Sequence, residues 1–198
     1  KVVSVLSDST STFAGYIPTA DGFNLEHRAR YPQSNLLTDV NETWWMQVVT
    51  ELDAKLGINE SWAGSMVFND RDTNSGDYGP DACMASLTRI QNLGSNGTPD
   101  VILFYGAGND IRQSVPVGNF DPDSAPTAGD LTATKWGSFV DAYVAAIMRL
   151  QHFYPDSEAE IAAVRKYCED KGVRVAFSDV FLKGGEGAVE LANAVVDT

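Results

Sequence analysis

The segment P-D-V-I-L-F-Y-G at Pro99–Gly106 constrains this chain more than any other. Val101 to Tyr105 are apolar without alternation, and Pro99 and Gly106 bound them as breakers. A strand with one solvated face alternates polar and apolar side chains. A short uniform run is instead buried on both faces, the usual state of a parallel sheet. Parallel strands need crossover connections, normally helices, so the sequence between such runs should carry helical periodicity.

It does. Val2–Leu6 reads as a first strand, running into the small polar cluster S-D-S-T-S-T. After a turn-rich loop over Gly15–Asp39, Thr43–Leu56 carries apolar residues at helical spacing. Trp45, Val48, Val49 and Leu52 are expected inward and Gly57 is the expected C-terminal cap. Ile58–Trp62 reads as a short strand. Asp81–Leu93, closed by Gly94, and Trp136–Tyr154 read as helices, with a Pro/Gly/Asp-rich loop over Ser114–Gly129. The pattern predicts an α/β chain, a three-layer α/β/α sandwich around a parallel, doubly wound sheet whose ligand crevice lies beyond the carboxyl ends of its strands.

Beyond Tyr154-Pro155 the alternation fails. A helix at Ala159–Lys171 comes next with no strand between, and Val173–Phe177 passes through Asp179 and Phe181 straight into L-K-G-G-E-G and a last helix. Helices on one face of a parallel sheet normally return through a strand, and site-building loops need length. A compact variant fold would accommodate this. The reading preferred is one domain over residues 1–198 from which segments near 158/159 and 181/182 are missing.

Composition narrows the partners. The 198 residues are 43% hydrophobic and 21% charged, as in an ordinary globular domain. A net charge of -13 repels nucleic acid and anionic membrane, so neither is an expected partner and a small neutral or cationic ligand is. No apolar run approaches the ~18 residues of a membrane-spanning helix. Cys83 and Cys168 are too few for a disulfide framework and lack zinc-site spacing, so a bridge between them stays open. The chain begins at Lys1, directly ahead of the first strand, and a secreted or periplasmic protein is the expectation.

Three strand ends carry small-residue clusters: S-D-S-T at Ser7–Thr10, W-A-G-S at Trp62–Ser65 and Y-G-A-G-N-D at Tyr105–Asp110. In a parallel sheet these ends share one rim. A serine hydroxyl there can act as nucleophile, while a glycine N–H and an asparagine amide can donate to an acyl oxyanion. Asp8 and Asp110 are expected to bond backbone in their loops, Trp44 and Trp45 to pack a helix, and Trp62 to be available for lining a pocket.

In order and context these clusters resemble the blocks of the SGNH/GDSL hydrolase (esterase/lipase) family. The resemblance implies a flavodoxin-like sheet and ester hydrolysis without metal or organic cofactor. It implies Ser9 as nucleophile and an oxyanion hole of Ser9 N–H, Gly64 N–H and the Asn109 amide. Ser7 and Ala107 stand where the family usually has glycine. The family's D-x-x-H-P motif, which supplies the general base His and its orienting Asp, does not appear. Leu182–Ala192 resembles the stretch just downstream of that motif in the family, which places the gap directly before Leu182. His27 and His152 fit the base role poorly, and Asp179 fits a structural aspartate better than a triad member.

The expected function is hydrolysis of a small-acyl ester, with acetyl groups on carbohydrate the suggested substrate. The alternative is a non-catalytic carbohydrate-binding module on the same scaffold. A flavodoxin-like nucleotide or phosphate binder would need a glycine-rich loop opening a helix, and S-D-S-T-S-T has none.

Overall fold

Three strands frame the molecule: β1 (Val2–Ser7), β2 (Lys55–Ser61) and β3 (Val101–Tyr105). They form a parallel sheet in the order β2-β1-β3, the beginning of a doubly wound arrangement. The computed structural model describes residues 1–17, 29–68, 82–119, 133 and 135–155. By compactness the chain divides into two units, Lys1–Asn119 with Pro126–Asp156, and Phe120–Ala125 with Ser157–Thr198; all described residues belong to the first. The expected helix at 159–171, the strand at 173–177, and positions 158/159 and 181/182 lie outside the described residues.

Helices cover both faces of the sheet, giving the α/β sandwich that the alternation predicts. On one face, Val3 and Val101 pack with Val49 of α1 (Trp44–Glu51), and Val5 packs with Trp45 and Phe13. On the other, Leu6 packs with Ile90 of α2 (Leu87–Asn92) and with Ala142, Ala146 and Leu150 of α4 (Phe139–Phe153). A short helix, α3 (Gly108–Arg112), comes directly after β3. Hydroxyl side chains start the longer helices. Thr43 accepts from Met46 N, Ser86 from Arg89 N and Ser138 from Asp141 N, each satisfying a backbone donor that the first turn leaves unpaired.

Several boundaries differ from the sequence reading, each for a local reason. The first helix stops at Glu51, not Leu56, because Asp53 turns the chain with φ +46° and Lys55–Gly57 already belong to β2. Gly57 is therefore no helix cap. It sits where β2 slips register against β1 between the Val3 and Val5 pairings, and an added Cβ would stand 2.5 Å from Ser4 Oγ and 2.8 Å from Val2 Cγ1. Only glycine lets the two strands approach so closely. The second helix starts at Leu87, not Asp81, after the Ser86 cap. In β3, full two-sided burial gives way to a gradient: Val101 is buried and Tyr105 is 52% exposed at the strand's end.

Candidate active site

Register aligns the strand ends. Ser7 pairs with Ser61 on one side and with Tyr105 on the other, so all three carboxyl-terminal ends open onto one rim. Past Ser7 the chain makes a 3-10 turn, Ser9–Ser11, whose cap is the buried Asp8. The Asp8 carboxylate accepts from both Thr10 N and Thr10 Oγ1 at 2.8 Å. It thereby fixes the turn in which Ser9 sits half-buried, and the Ser9 side chain makes no hydrogen bond to the described residues.

Past β2 the chain turns at Trp62–Ser65, closed by Ser65 N donating to Trp62 O at 3.1 Å, with Gly64 at φ +82°. That left-handed conformation favours glycine. Past β3, Asn109 lies in the first turn of α3 and its Nδ2 donates to Ser65 O at 2.8 Å, tying the third cluster to the second. Asp110 reinforces the tie by accepting from Val67 N at 3.0 Å and Phe68 N at 2.9 Å. The third cluster also meets the first, because a Cβ on Gly108 would lie 3.9 Å from Asp8 Oδ2. Ser9, Gly64 and Asn109 thus sit on turns joined along one rim. Both aspartates bond backbone as their loop positions suggested.

The two positions that depart from the family's glycines are also visible. Ser7 is fully buried and its hydroxyl pairs with Ser11 Oγ at 2.7 Å; Ser11 Oγ in turn accepts from Trp44 Nε1 at 3.0 Å. Ala107 takes φ +82° as the residue preceding α3, a conformation an L side chain adopts at a cost.

Arg89 is the organising residue that sequence reading missed. Only 1% exposed, it donates from Nη2 to Ser7 O at 3.0 Å and Glu60 O at 2.5 Å, and from Nη1 to Ala82 O at 2.6 Å and Ser65 Oγ at 2.5 Å. Its Nε lies 3.6 Å from buried Glu60 Oε2, and its guanidinium stacks 4.8 Å from the Trp62 ring centroid. Burial lowers the Arg89 pKa, and the Glu60 carboxylate opposes that shift most strongly. Glu60 also accepts from Trp62 Nε1 at 2.9 Å and from Asn92 Nδ2. Trp62 is consequently held in this network with 9% of its surface exposed. The overlooked signal was positional. Ser86, Arg89, Ile90 and Leu93 keep helical spacing, so the arginine falls on the apolar stripe.

His152 lies exposed in the last turn of α4. Adjacent Tyr154 donates to Ile90 O at 2.9 Å, and nearby Leu93 O accepts from Ser4 Oγ at 2.8 Å, near the start of β1. His152 is therefore at the end of the sheet opposite the rim. His27 and Asp179 lie outside the described residues, as does Cys168; Cys83 is a buried free thiol. Among the described residues no group of three or more His, Cys, Asp or Glu is placed to hold a metal ion, and no helix is long and apolar enough to cross a membrane.

The family model described as GDSL-like Lipase/Acylhydrolase matches residues 1–170. The chain belongs to this family. A structure described as a GDSL-like lipase from Bacteroides uniformis is 29% identical, with a TM-score of 0.54 over 87% of this chain and 80% of that one. Another, described in the same way from Bacteroides ovatus, is 23% identical, with a TM-score of 0.55 over 98% of this chain and 95% of that one, and supports the fold alone. Membership in the GDSL-like lipase/acylhydrolase family supports a hydrolase acting on esters.

A different likeness is local. Formate–tetrahydrofolate ligase of Desulfovibrio desulfuricans is 50% identical over 54 residues, and that of Thermotoga maritima 57% over 51 residues. These stretches are 27% and 26% of this chain, which spans only 9% of the length of either ligase.

Proposed function

We propose that this GDSL-like chain is a serine esterase that hydrolyses a small-acyl ester through an acyl-Ser9 intermediate. In this reading Ser9 Oγ attacks the ester carbonyl carbon and gives its proton to a general base. The carbonyl oxygen, now an oxyanion, accepts from Ser9 N–H, Gly64 N–H and the Asn109 amide. Collapse expels the alcohol, which takes up a proton, and water then cleaves the acyl-serine to free acid and Ser9. The family resemblance implies a D-x-x-H-P motif before Leu182 as the source of the base and its orienting aspartate, and this sequence does not contain one. The observation that carries the reading is the bonded rim: Asn109 joined to Ser65, Gly108 against Asp8, and Ser7 in register with Ser61 and Tyr105.

Aryl acetate hydrolysis tests it. Ser9→Ala should abolish turnover, and Asn109→Ala should lower kcat by about a hundredfold, the usual consequence of losing one oxyanion donor. Full activity in Ser9→Ala removes the proposal.

A second reading, a carbohydrate-binding module that retains the scaffold without catalysis, draws on the missing D-x-x-H-P motif. A serine hydroxyl without a base is a poor nucleophile near neutral pH. Absence of ester turnover together with retained oligosaccharide binding would favour it.

A further inference from the structure

Two large aromatic side chains stand open at the rim, although aromatic surface is normally withdrawn from water. Trp44 is 37% exposed and Tyr105 52%, whereas Trp45, next along α1, is fully buried. Their ring centroids are 5.8 Å apart and the planes are tilted by 53°. The Trp44 ring is bonded to the turn that carries Ser9, and the Tyr105 backbone is paired with β1 just before that turn. Trp44 Nε1 donates to Ser11 Oγ at 3.0 Å, and Tyr105 is in backbone register with Ser7. Ser9 is two residues from each anchor, a span of at most ~7 Å. Trp44 starts α1 with its indole N–H bonded to the Ser9 turn and its ring against Tyr105, and more than a third of it stays exposed.

We infer that Trp44 and Tyr105 form the platform that receives the sugar ring of a pyranoside ester and so determine which alcohol portion the enzyme accepts. This rests on the acyl-Ser9 reading. A pyranose has an apolar C–H face bounded by hydroxyl groups. The exposed ring surface of the pair suits the former, and the Tyr105 phenol and the hydroxyl-rich turn Ser9–Ser11 offer polar partners to the latter. A neutral sugar also suits a surface of net charge -13, which disfavours anionic alcohol portions.

The test compares a methyl glucopyranoside monoacetate with ethyl acetate, which shares the acyl group and lacks the ring. Tyr105→Ala should raise KM for the sugar ester about tenfold while leaving ethyl acetate kinetics unchanged, and Trp44→Ala, which also removes the bond to Ser11, should lose about tenfold more on the sugar ester than on ethyl acetate. Trp44→Phe, which retains an aromatic face, should recover most of that loss. Equal loss on both esters would mean that the rings only position Ser9, and no loss on the sugar ester would mean that they contact nothing; either overturns the inference. Calorimetric titration of acetylated cellotetraose into Ser9→Ala separates the two proposals. If wild type turns over neither ester while Ser9→Ala binds the oligosaccharide and loses about tenfold in affinity with either ring removed, acyl-enzyme catalysis fails and the platform stands. Binding that is absent, or unchanged without the rings, overturns the platform.

Discussion

Ala107 holds a left-handed φ of +82° at the entrance to α3, one residue from the Gly108 that packs against Asp8. An L residue in this region costs about 1–2 kcal/mol, while glycine carries an unfolded-state entropy penalty of about 0.4–1 kcal/mol. The first term is the larger. Ala107→Gly should therefore raise stability by about 0.5–1 kcal/mol, measured by urea denaturation; a loss of stability would show that the methyl group packs usefully. Cys83 is the other single residue with a readable consequence. Burial pushes its thiol up to about 11 from an ordinary 9.0. The folded state then keeps a proton that the unfolded chain releases, so the Cys83 contribution is intact below about pH 9 and lost as pH rises through about 11. Two pKa units correspond to about 3 kcal/mol. Unfolding free energy should fall across that window in wild type and fall less in Cys83→Ala; parallel curves would contradict the assignment. At this scale, how much could be read ahead depended on where each residue's partners lie. Ser9, Gly64 and Asn109 could be singled out because each comes within a few residues of a strand end. Arg89 could not, because three of its acceptors are backbone carbonyls of Ser7, Glu60 and Ala82, which no side-chain pattern announces.

Elements were more legible in kind than in extent. The uniform run Val101–Tyr105 did mark a parallel strand, and the periodicity of Trp45, Val49 and Leu52 did mark a helix. Gly57 misled because glycine serves close approach as readily as a helix end, and the left-handed turn fell instead on Asp53. The elements are also held to one another by a few polar ties, of which Arg89 is the most concentrated. It reaches from α2 to the ends of β1 and β2 and to the loop carrying Ser65. Arg89→Met should strand the Glu60 carboxylate in the interior and cost about 3–5 kcal/mol. The double variant Arg89→Met with Glu60→Leu should recover part of that loss. A single variant within about 0.5 kcal/mol of wild type by chemical denaturation would show that the buried network holds nothing together.

On the scale of the whole molecule, the described residues form an α/β sandwich with its strand ends gathered at one rim, within a family match that ends at residue 170. Alternation of strands and helices made that architecture readable. The same alternation stops making sense past Tyr154, where no D-x-x-H-P motif supplies a base for Ser9. Ser9 could be proposed as nucleophile because it belongs to a local strand-turn signature, whereas a base is defined by spatial contact and needs its own motif to be seen. Reaction of the intact chain with a fluorophosphonate, then peptide mass mapping, tests Ser9 as nucleophile most directly. A single adduct on the peptide carrying Ser9, absent in Ser9→Ala, is the predicted result. No adduct on wild type, or an equal adduct on the Ser9→Ala variant, would contradict it.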